Sequence, residues 1–598
     1  MSETKDNIIF SKDKKSAILS IQKNHHIAIK GYTNVACLYG EVFIHGFYIN
    51  SKNSSPHKTY PIASYSSSLL NTVIVNRGNQ IEEEDINNIK QSLLPEFPDI
   101  NENLSGYTKF TAIVYLVNAP EPTIKLMRHF FPELLSNFRQ IKGTEIFNHV
   151  YLLDNECHAP TSVLYDLSTE KTILQQIEKE ECKDEPFTII SIGSKNSGKS
   201  TINRFMANAF ISQNQYTVLW LDLDIGQPEF TVSGFMSLIE LKEPIFTPPP
   251  FHMKIDEGNI LFVGKYEMDS LHRRYITILQ DLVRKIQSTY FGKEKKCVLI
   301  VNTMGYIKDK GKDLLDEIIG ILSPKLFVMC TDNNQFEYNN GNMNNRNTVR
   351  VYNKLDETVY KNPYVVKRSK MIDNGRDARK MRVIGYFSNI FKTFSFVPYS
   401  TNPARWPVYV VKMKNYFIFN EPDLPLFEEC RLKESLEVTM VALCNFTDNN
   451  EKGFNKVPFG DSDLPTPIVI CFKGLTMKLN YRLTNLDSFG VGIITHVDMI
   501  NKTFSICTPL KRDVFENNVK VLARGRGLQI PPILLNCQVN DNYDGYRSLK
   551  TYSKEWVVYN QTTARHHESM IKSKFQRDNG QTKKIRTQEV ITISSSEE

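Results

Sequence analysis

Phe187-Thr188-Ile189-Ile190-Ser191-Ile192 runs directly into Gly193-Ser194-Lys195-Asn196-Ser197-Gly198-Lys199-Ser200-Thr201. The first part is a β-branched apolar stretch that reads as a buried strand, and the residues from Lys199 to about Phe210 read as a helix. Between them the chain matches G-x-x-x-x-G-K-[ST] without a gap, in the strand-to-helix setting that a phosphate-binding loop needs. Gly193 and Gly198 permit positive φ and a close approach of backbone to phosphate, so that successive N–H groups and the helix N-terminus cradle an anion. Lys199 would then reach the β- and γ-phosphates, and the Ser200 hydroxyl would ligate Mg²⁺. The candidate ATP-binding residues are Gly193, Ser194, Lys195, Asn196, Ser197, Gly198, Lys199, Ser200 and Thr201.

A second apolar run, Val218-Leu219-Trp220-Leu221, ends in Asp222-Leu223-Asp224-Ile225-Gly226-Gln227. If the strand continues, Asp222 and Asp224 share a face at its carboxyl end, beside the phosphate loop. Carboxylates there can hold Mg²⁺ through water or take a proton from an attacking hydroxyl. Asp222 is the candidate for the metal and Asp224 for the base. The plainer alternative is that one of them caps the following turn.

Outward from this centre, strands at Ile260–Gly264, Val298–Tyr306 and Lys325–Cys330 alternate with helices at Leu271–Ser288 and Asp313–Leu322. That spacing predicts an α/β P-loop NTPase core, a parallel sheet with helices on both faces. The Pro-rich turn Phe246–Pro250 is expected to shape a cleft. Arg376, Arg379 and Arg382 recur every three residues, so a helix would line them along one edge; a solvated basic face is the plain reading of the same pattern. The run from Asn333 to Asn347 reads as a low-complexity loop. Short Gly-punctuated runs before residue 160 and again from about 400 predict flanking β-rich domains, the first a sandwich or jelly roll. The expected division is 1–160 N-terminal β-rich, 161–400 P-loop domain, 401–564 C-terminal β-rich and 565–598 a mobile tail.

Composition narrows the class. The chain has 598 residues, 41% hydrophobic and 23% charged, with a net charge of +7. That is ordinary for globular domains, and mild basicity permits a nucleic-acid partner without demanding one. The 10 cysteines include no C-x-x-C pair and sit mostly in apolar runs, which predicts reduced, buried thiols and argues against a zinc site. A polar N-terminus and the lack of an apolar run of roughly 20 residues lead to the expectation of a soluble intracellular protein with no membrane partner.

These residues resemble those of the polynucleotide 5′-hydroxyl kinase family, and within it the ribosomal-RNA-processing branch. The resemblance is carried by Gly193–Ser200, by Asp222–Phe230 with its Asp-x-Gly-Gln, by Asn302-Thr303-Met304-Gly305-Tyr306, by the Arg376–Arg382 stretch ahead of Tyr386-Phe387, and by Gly527-Leu528-Gln529-Ile530-Pro531. Gly40–Gly46 is similar to the family's leading domain. The resemblance implies transfer of a phosphoryl group from ATP, with Mg²⁺, to the 5′-hydroxyl end of RNA. It makes Lys199, Asp224, Arg376 and Arg379 catalytic, Asp224 being the base and the arginines part of a lid, with Gln227, Thr303 and Tyr306 on the RNA. It implies a nuclear, nucleolar location beside an endonuclease that cuts a pre-rRNA spacer. Tyr306 stands where the family is expected to have tryptophan, and Gly264–Ser270 lacks the expected Ser-Pro turn and Thr-x-Asn clasp, which leaves the residues that clasp ATP unassigned.

The alternative is a nucleotide-binding scaffold without turnover, although such a protein has no need of Lys199, Ser200, Asp224 and the arginines together. A GTPase-type switch is disfavoured because Thr331-Asp332-Asn333 stands where Asn-Lys-x-Asp would be read. In the tail, Val590-Ile591-Thr592-Ile593 before Ser594–Glu598 resembles a SUMO-interacting motif, an apolar strand that could add to a partner's sheet edge.

Overall fold

Alternation along Phe187–Ile192 decides how the central sheet is covered. Phe187 and Ile189 enter one buried cluster while Ile190 and Ile192 enter another, as period-2 geometry requires. The same split holds for Val218/Trp220 against Leu219/Leu221, and for Val298/Ile300 against Leu299/Val301. Both faces are therefore dry.

In the computed structural model the described residues fall mostly within 8–153, 185–331, 348–352 and 375–535. Residues 1–7, 154–184, 332–347, 353–374 and 536–598 lie outside them, as do Asn196 and shorter stretches such as 65–71, 77–86, 101–109, 133–142, 255–258, 267–271 and 471–484. The Asn-rich run and the tail with Val590–Ile593 are thus outside the described residues.

In the phosphate-loop unit the strands are β1 (Phe187–Ile192), β2 (Tyr216–Asp222), β3 (Phe235–Leu241), β4 (Asn259–Phe262), β5 (Lys296–Asn302), β6 (Leu326–Thr331) and β7 (Thr348–Tyr352). Order β7-β6-β1-β5-β2 is wholly parallel. Helix α1 (Lys199–Gln213) covers one face with Ile202, Phe205, Met206 and Phe210. The opposite face is covered by α2 (His272–Tyr290), through Tyr275, Ile278, Leu279 and Leu282, and by α3 (Lys310–Leu322), through Leu314, Leu315 and Ile318. Each such side chain contributes about 1.5–3 kcal/mol on burial.

The parallel reading fails beyond β2. β3 and β4 run antiparallel, the first beside β2 and the second beside β3. β3 was not anticipated, and Ile260–Gly264 was expected in the parallel set. The physical reason is the connection: β2 turns back through the Asp224–Gly234 loop with no crossover helix, which only an antiparallel neighbour allows.

Leu261 of β4 then pairs with Asp487 in the strand Leu486–Asp498, and the sheet continues through Thr439–Phe446, Val521–Arg524 and Phe417–Asn420. The C-terminal β-rich segment is thus an extension of the central sheet, fifteen strands in all among the described residues. In the N-terminal segment ten strands form an antiparallel array around the long strand His26–Tyr39. That strand changes partners at Gly31, where φ is +115° and an added Cβ would stand 2.2 Å from the His149 carbonyl oxygen.

The two flanking segments grip the middle. Asn208 of α1 donates from Nδ2 to the His45 and Ile245 carbonyls (2.9 and 3.0 Å), and Tyr48 N–H donates to Ser212 Oγ at 3.0 Å. The Pro-rich turn is packed inward at both of its ends. Phe246 fills the N-terminal core, and Pro250 is buried with its carbonyl against Gly385. Cys37, Cys297, Cys330, Cys444 and Cys507 are buried and unbridged, while Cys430 is exposed. Among the described residues no helix is long and apolar enough to cross a membrane.

At the seam between β4 and the C-terminal strands, Gly527 N–H donates to the Gly264 carbonyl at 2.8 Å, and a Cβ on Gly525 would stand 2.2 Å from that same oxygen. The obstruction is backbone, which cannot step aside. Gly525→Ala is therefore expected to lower stability by about 1–3 kcal/mol, read as a lower Tm; an unchanged Tm would show that this seam is loosely packed.

Candidate functional site

The two loop glycines divide the tasks expected of both: Gly198 takes the positive φ, and Gly193 permits a close backbone approach. Gly198 lies at φ 95° as the cap of α1, and a Cβ on Gly193 would stand 2.3 Å from Cys330 O and 2.5 Å from Ser197 Oγ. Lys199 Nζ donates to the loop's own carbonyls, Gly193 O at 2.8 Å and Ser194 O at 2.7 Å, which holds the ammonium at the rim of the cradle. Ser200 and Thr201 follow in the first helical turn, both partly exposed. Lys195 is exposed, and Gly305 backs it so closely that a Cβ there would meet Lys195 N and Cα at 2.7 Å.

Beneath the loop runs a relay of amides. Asn203 of α1 contacts Ser191 through Oδ1 and Asn302 through Nδ2, and Asn302 Nδ2 donates to Asp222 Oδ1 at 3.0 Å. Asp222 Oδ2 accepts the Glu229 N–H at 2.6 Å. Both carboxylate oxygens are thus committed inside the protein and the residue is fully buried. Burial pushes its pKa up to about 7, against the pull of those hydrogen bonds. The expected metal-facing carboxylate is turned into the core, where it fixes the ends of β2 and β5 together.

Asp224 is placed differently from the expectation as well. The strand stops at Asp222, so the two carboxylates do not share a strand face. Asp224 is partly exposed, and its Oδ1 accepts the N–H groups of Gly226 (3.0 Å) and Gln227 (2.9 Å). Capping falls to Asp224 more than to Asp222. One oxygen thus holds the Gly-Gln turn.

Glu229 was missed, and it anchors the same loop. It is 1% exposed, and its Oε1 lies 3.2 Å from Arg204 Nε of α1 and 3.1 Å from His252 Nε2 of the Pro-rich turn. Burial alone would raise its pKa, but Arg204, His252 and Arg382 together hold it below the ordinary carboxylate value. Burial holds His252 below the usual imidazole range. The partners are far apart in sequence and no local spacing joins them; the only signal was a charged residue, Glu229, between Pro228 and Phe230.

The arginine stretch forms helix α4 (Gly375–Ser388), and its three guanidiniums do not line one edge. Arg382 is buried, donating through Nε to Pro228 O at 2.7 Å and through Nη1 to Ala378 O at 3.1 Å. Arg379 lies over the ring of Tyr266, 4.4 Å from its centre, and Arg376 is exposed. From Met381 to Ser388 every residue is buried, with Tyr386 Oη accepting Val491 N–H at 3.0 Å and Ser388 Oγ 2.7 Å from Thr123 Oγ1. The helix is anchored from Met381 onward, and its first turn stands beside the loop. A Cβ on Gly375 would be 2.9 Å from Gln227 Nε2, 3.2 Å from Lys195 Nζ and 3.5 Å from Arg379 Nη1, so these groups converge.

Of the other expected RNA contacts, Thr303 is 2% exposed and donates to Ser191 O at 2.7 Å, joining β5 to β1 instead of facing outward. Tyr306 is 46% exposed, and its ring lies on Gly311 of α3, where a Cβ would meet Cδ1 at 2.4 Å.

A family model described as the P-loop of mRNA cleavage and polyadenylation factor CLP1 matches residues 193–389. A second, described as the N-terminal domain of polynucleotide 5′-hydroxyl-kinase NOL9, matches residues 5–160. The chain is 29% identical over 346 residues to the polynucleotide 5′-hydroxyl-kinase nol-9 of Caenorhabditis elegans, covering 58% of each. It is 28% identical over 368 residues to polynucleotide 5′-hydroxyl-kinase GRC3 of Debaryomyces hansenii, covering 58% of this chain and 49% of the relative. The chain thus spans about half the length of the curated relatives it matches. A chain of the solved Clp1p–Pcf11p (454–563) complex aligns at 12% identity and a TM-score of 0.46, over 86% of this chain and 98% of that one. The resemblance drawn from the motifs is met by the family models and the named relatives alike.

Glu229→Gln keeps the volume and removes the charge that Arg204 and Arg382 face. The variant is expected to lose about 3 kcal/mol or more in denaturant unfolding, the cost of buried cations left unmatched. Wild-type stability would mean that the carboxylate is not the anchor of this loop.

Proposed function

We propose that this relative of the polynucleotide 5′-hydroxyl kinases transfers the γ-phosphoryl group of ATP to the 5′-hydroxyl end of RNA. The observation that carries the reading is the convergence of groups with distinct tasks. Lys199 stands at the rim of the loop, Asp224 at the adjacent strand end, and Gln227, Lys195 and Arg379 around Gly375. Little covalent work is asked of a protein in such a transfer; positioning and charge supply most of the rate.

The chain's own residues divide the work. Backbone N–H groups from Gly193 to Thr201 hold the phosphates, and Lys199 moves from its own loop's carbonyls to the β/γ oxygens. Asp224, steadied through Oδ1, takes the hydroxyl proton on Oδ2. Arg379 and the exposed Arg376 face the charge that spreads over the phosphoryl oxygens. Gln227 and Tyr306 hold the acceptor end, Tyr306 as a stacking surface. Asp222 and Thr303 act through others, fixing the strand ends from which Asp224 and the loop project.

Mg²⁺ fits the residues present. Among the described residues no group of three or more His, Cys, Asp or Glu could hold a metal. Mg²⁺ characteristically takes one or two protein ligands and completes its shell with phosphate and water, so Ser200 would be the direct ligand. Bound there, it would neutralise charge on the β- and γ-oxygens.

By the same reading the chain works in the nucleolus on pre-ribosomal RNA, downstream of an endonuclease partner that leaves a 5′-hydroxyl. Contact with SUMO through Val590–Ile593 belongs to the same set of proposals. The nucleolar reading is supported by the motif resemblance and the match to the NOL9 N-terminal domain, the SUMO contact by the tail's own residues alone.

Purified protein incubated with 5′-hydroxyl RNA and γ-labelled ATP is expected to label the RNA end. Lys199→Ala should abolish labelling with the fold retained, and end-labelling near the wild-type rate would remove the loop from the reaction. Asp224→Asn should keep ATP binding and lose about 10²–10⁴-fold in transfer, because an amide cannot accept the proton. ATP binding without transfer in the wild-type protein would favour the scaffold reading.

A further inference from the structure

Tyr266 sits in the stretch after β4 where no clasp could be read from the sequence. Its backbone borders the catalytic turn, since a Cβ on Gly226 would lie 3.5 Å from Tyr266 O. Its ring carries the Arg379 guanidinium at 4.4 Å. Both side chains are partly exposed, so the contact is one that solvent and ligands can reach. Arg379 Nη1 also lies 3.5 Å from where a Cβ on Gly375 would stand, a point that Lys195 Nζ approaches to 3.2 Å beside the phosphate loop. The arginine therefore bridges two places, an aromatic ring on the Asp224 side and a phosphate cradle on the other.

We propose that Tyr266 and Arg379 form a latch released by the acceptor. The terminal nucleobase of the RNA takes the place of Arg379 on the Tyr266 ring, and the displaced guanidinium turns to the transferring phosphoryl group. The inference rests on the kinase reading above and names how that site is regulated.

The exchange is favourable in direction. Stacking of a nucleobase on an aromatic ring is a stronger contact than a solvent-exposed cation–π pair, and every base has a π face, so the latch is indifferent to sequence. The strong helix anchoring from Met381 onward lets the first turn keep its place while the Arg379 side chain swings.

The latch answers a problem every phosphoryl transferase faces, since water can accept the phosphoryl group too. In the productive reaction the RNA 5′-oxygen bonds to the γ-phosphorus, the bond to the β–γ bridging oxygen breaks, ADP leaves, and the hydroxyl proton passes to Asp224. Hydrolysis differs only in that water is the nucleophile. An arginine that completes charge stabilisation is worth a large factor in rate, so parking it on Tyr266 slows hydrolysis until RNA arrives.

The test is steady-state kinetics of the full chain with ATP, with and without 5′-hydroxyl RNA, and with RNA whose terminal nucleotide is abasic. Tyr266→Leu removes the π face. It is expected to raise KM for RNA about tenfold, the loss of one base–aromatic stack, and to raise hydrolysis without RNA by about threefold or more. Tyr266→Phe should return both toward wild type, and the abasic end should be a poorer acceptor for wild type but not for Tyr266→Leu. A change in KM without a change in hydrolysis overturns the latch, as does the reverse, or a Phe variant as impaired as Leu. Wild-type protein that transfers normally while Tyr266→Leu matches it refutes the latch alone; wild-type protein that never labels RNA refutes the kinase reading and the latch with it.

Discussion

One buried carboxylate fixes the geometry of this molecule. Glu229 draws Arg204 from the helix behind the phosphate loop and His252 from the Pro-rich turn, and it lies in the field of Arg382 from the anchored helix α4. A charge inside a protein is tolerated only when matched, so each of these elements must arrive for any to be stable. Asp222, seven residues earlier, accepts the Glu229 N–H and hands the constraint on to Asn302, Asn203 and Ser191. The Asp224–Gln227 turn is thus positioned by buried polar groups.

Much of the core was legible because short-range physics wrote it. The glycine spacing of Gly193–Ser200 asks for a tight entry into a helix, and Gly198 at positive φ as the cap of α1 and the crowded Gly193 meet that demand. Apolar runs of strand length separated by helix-length segments gave β1, β2, β5 and β6 with α1, α2 and α3 between them. What stayed hidden depends on distance. Nothing near Glu229 in sequence names Arg204 or His252, and Arg382 looked like its neighbours Arg376 and Arg379 until the fold buried it. The apolar Val383–Phe387 run after Arg382 was the available clue that this arginine lies where the helix enters the core.

Strand β3 escaped notice for a similar reason. Phe235–Leu241 includes Glu240, and it follows a loop already claimed by the Asp-x-Gly-Gln motif. Its antiparallel course reroutes the sheet, because β4 then faces Leu486–Asp498 and the C-terminal strands join without a break. The flanking domains read as separate β-rich units are, on one side, the continuation of the phosphate-loop sheet. Thr303 and Asp222 show the converse case, where residue type suggested contact with a ligand and the structure shows both buried and hydrogen-bonded between strand ends.

The shared core has a thermodynamic consequence. Tyr32 and Phe43 from the N-terminal strands, Phe205 and Trp220 from the middle, and Met440 and Ala442 from the C-terminal strands belong to one continuous buried cluster. Domains that keep separate cores can melt separately, as beads on a string do. Here the outer segments keep cores of their own, around Val42 and Ile62 in the first and Val441 and Phe504 in the last, yet loss of either would also expose the cluster they share with the middle, so a lesion on an outer strand reaches the phosphate-loop unit through that common packing.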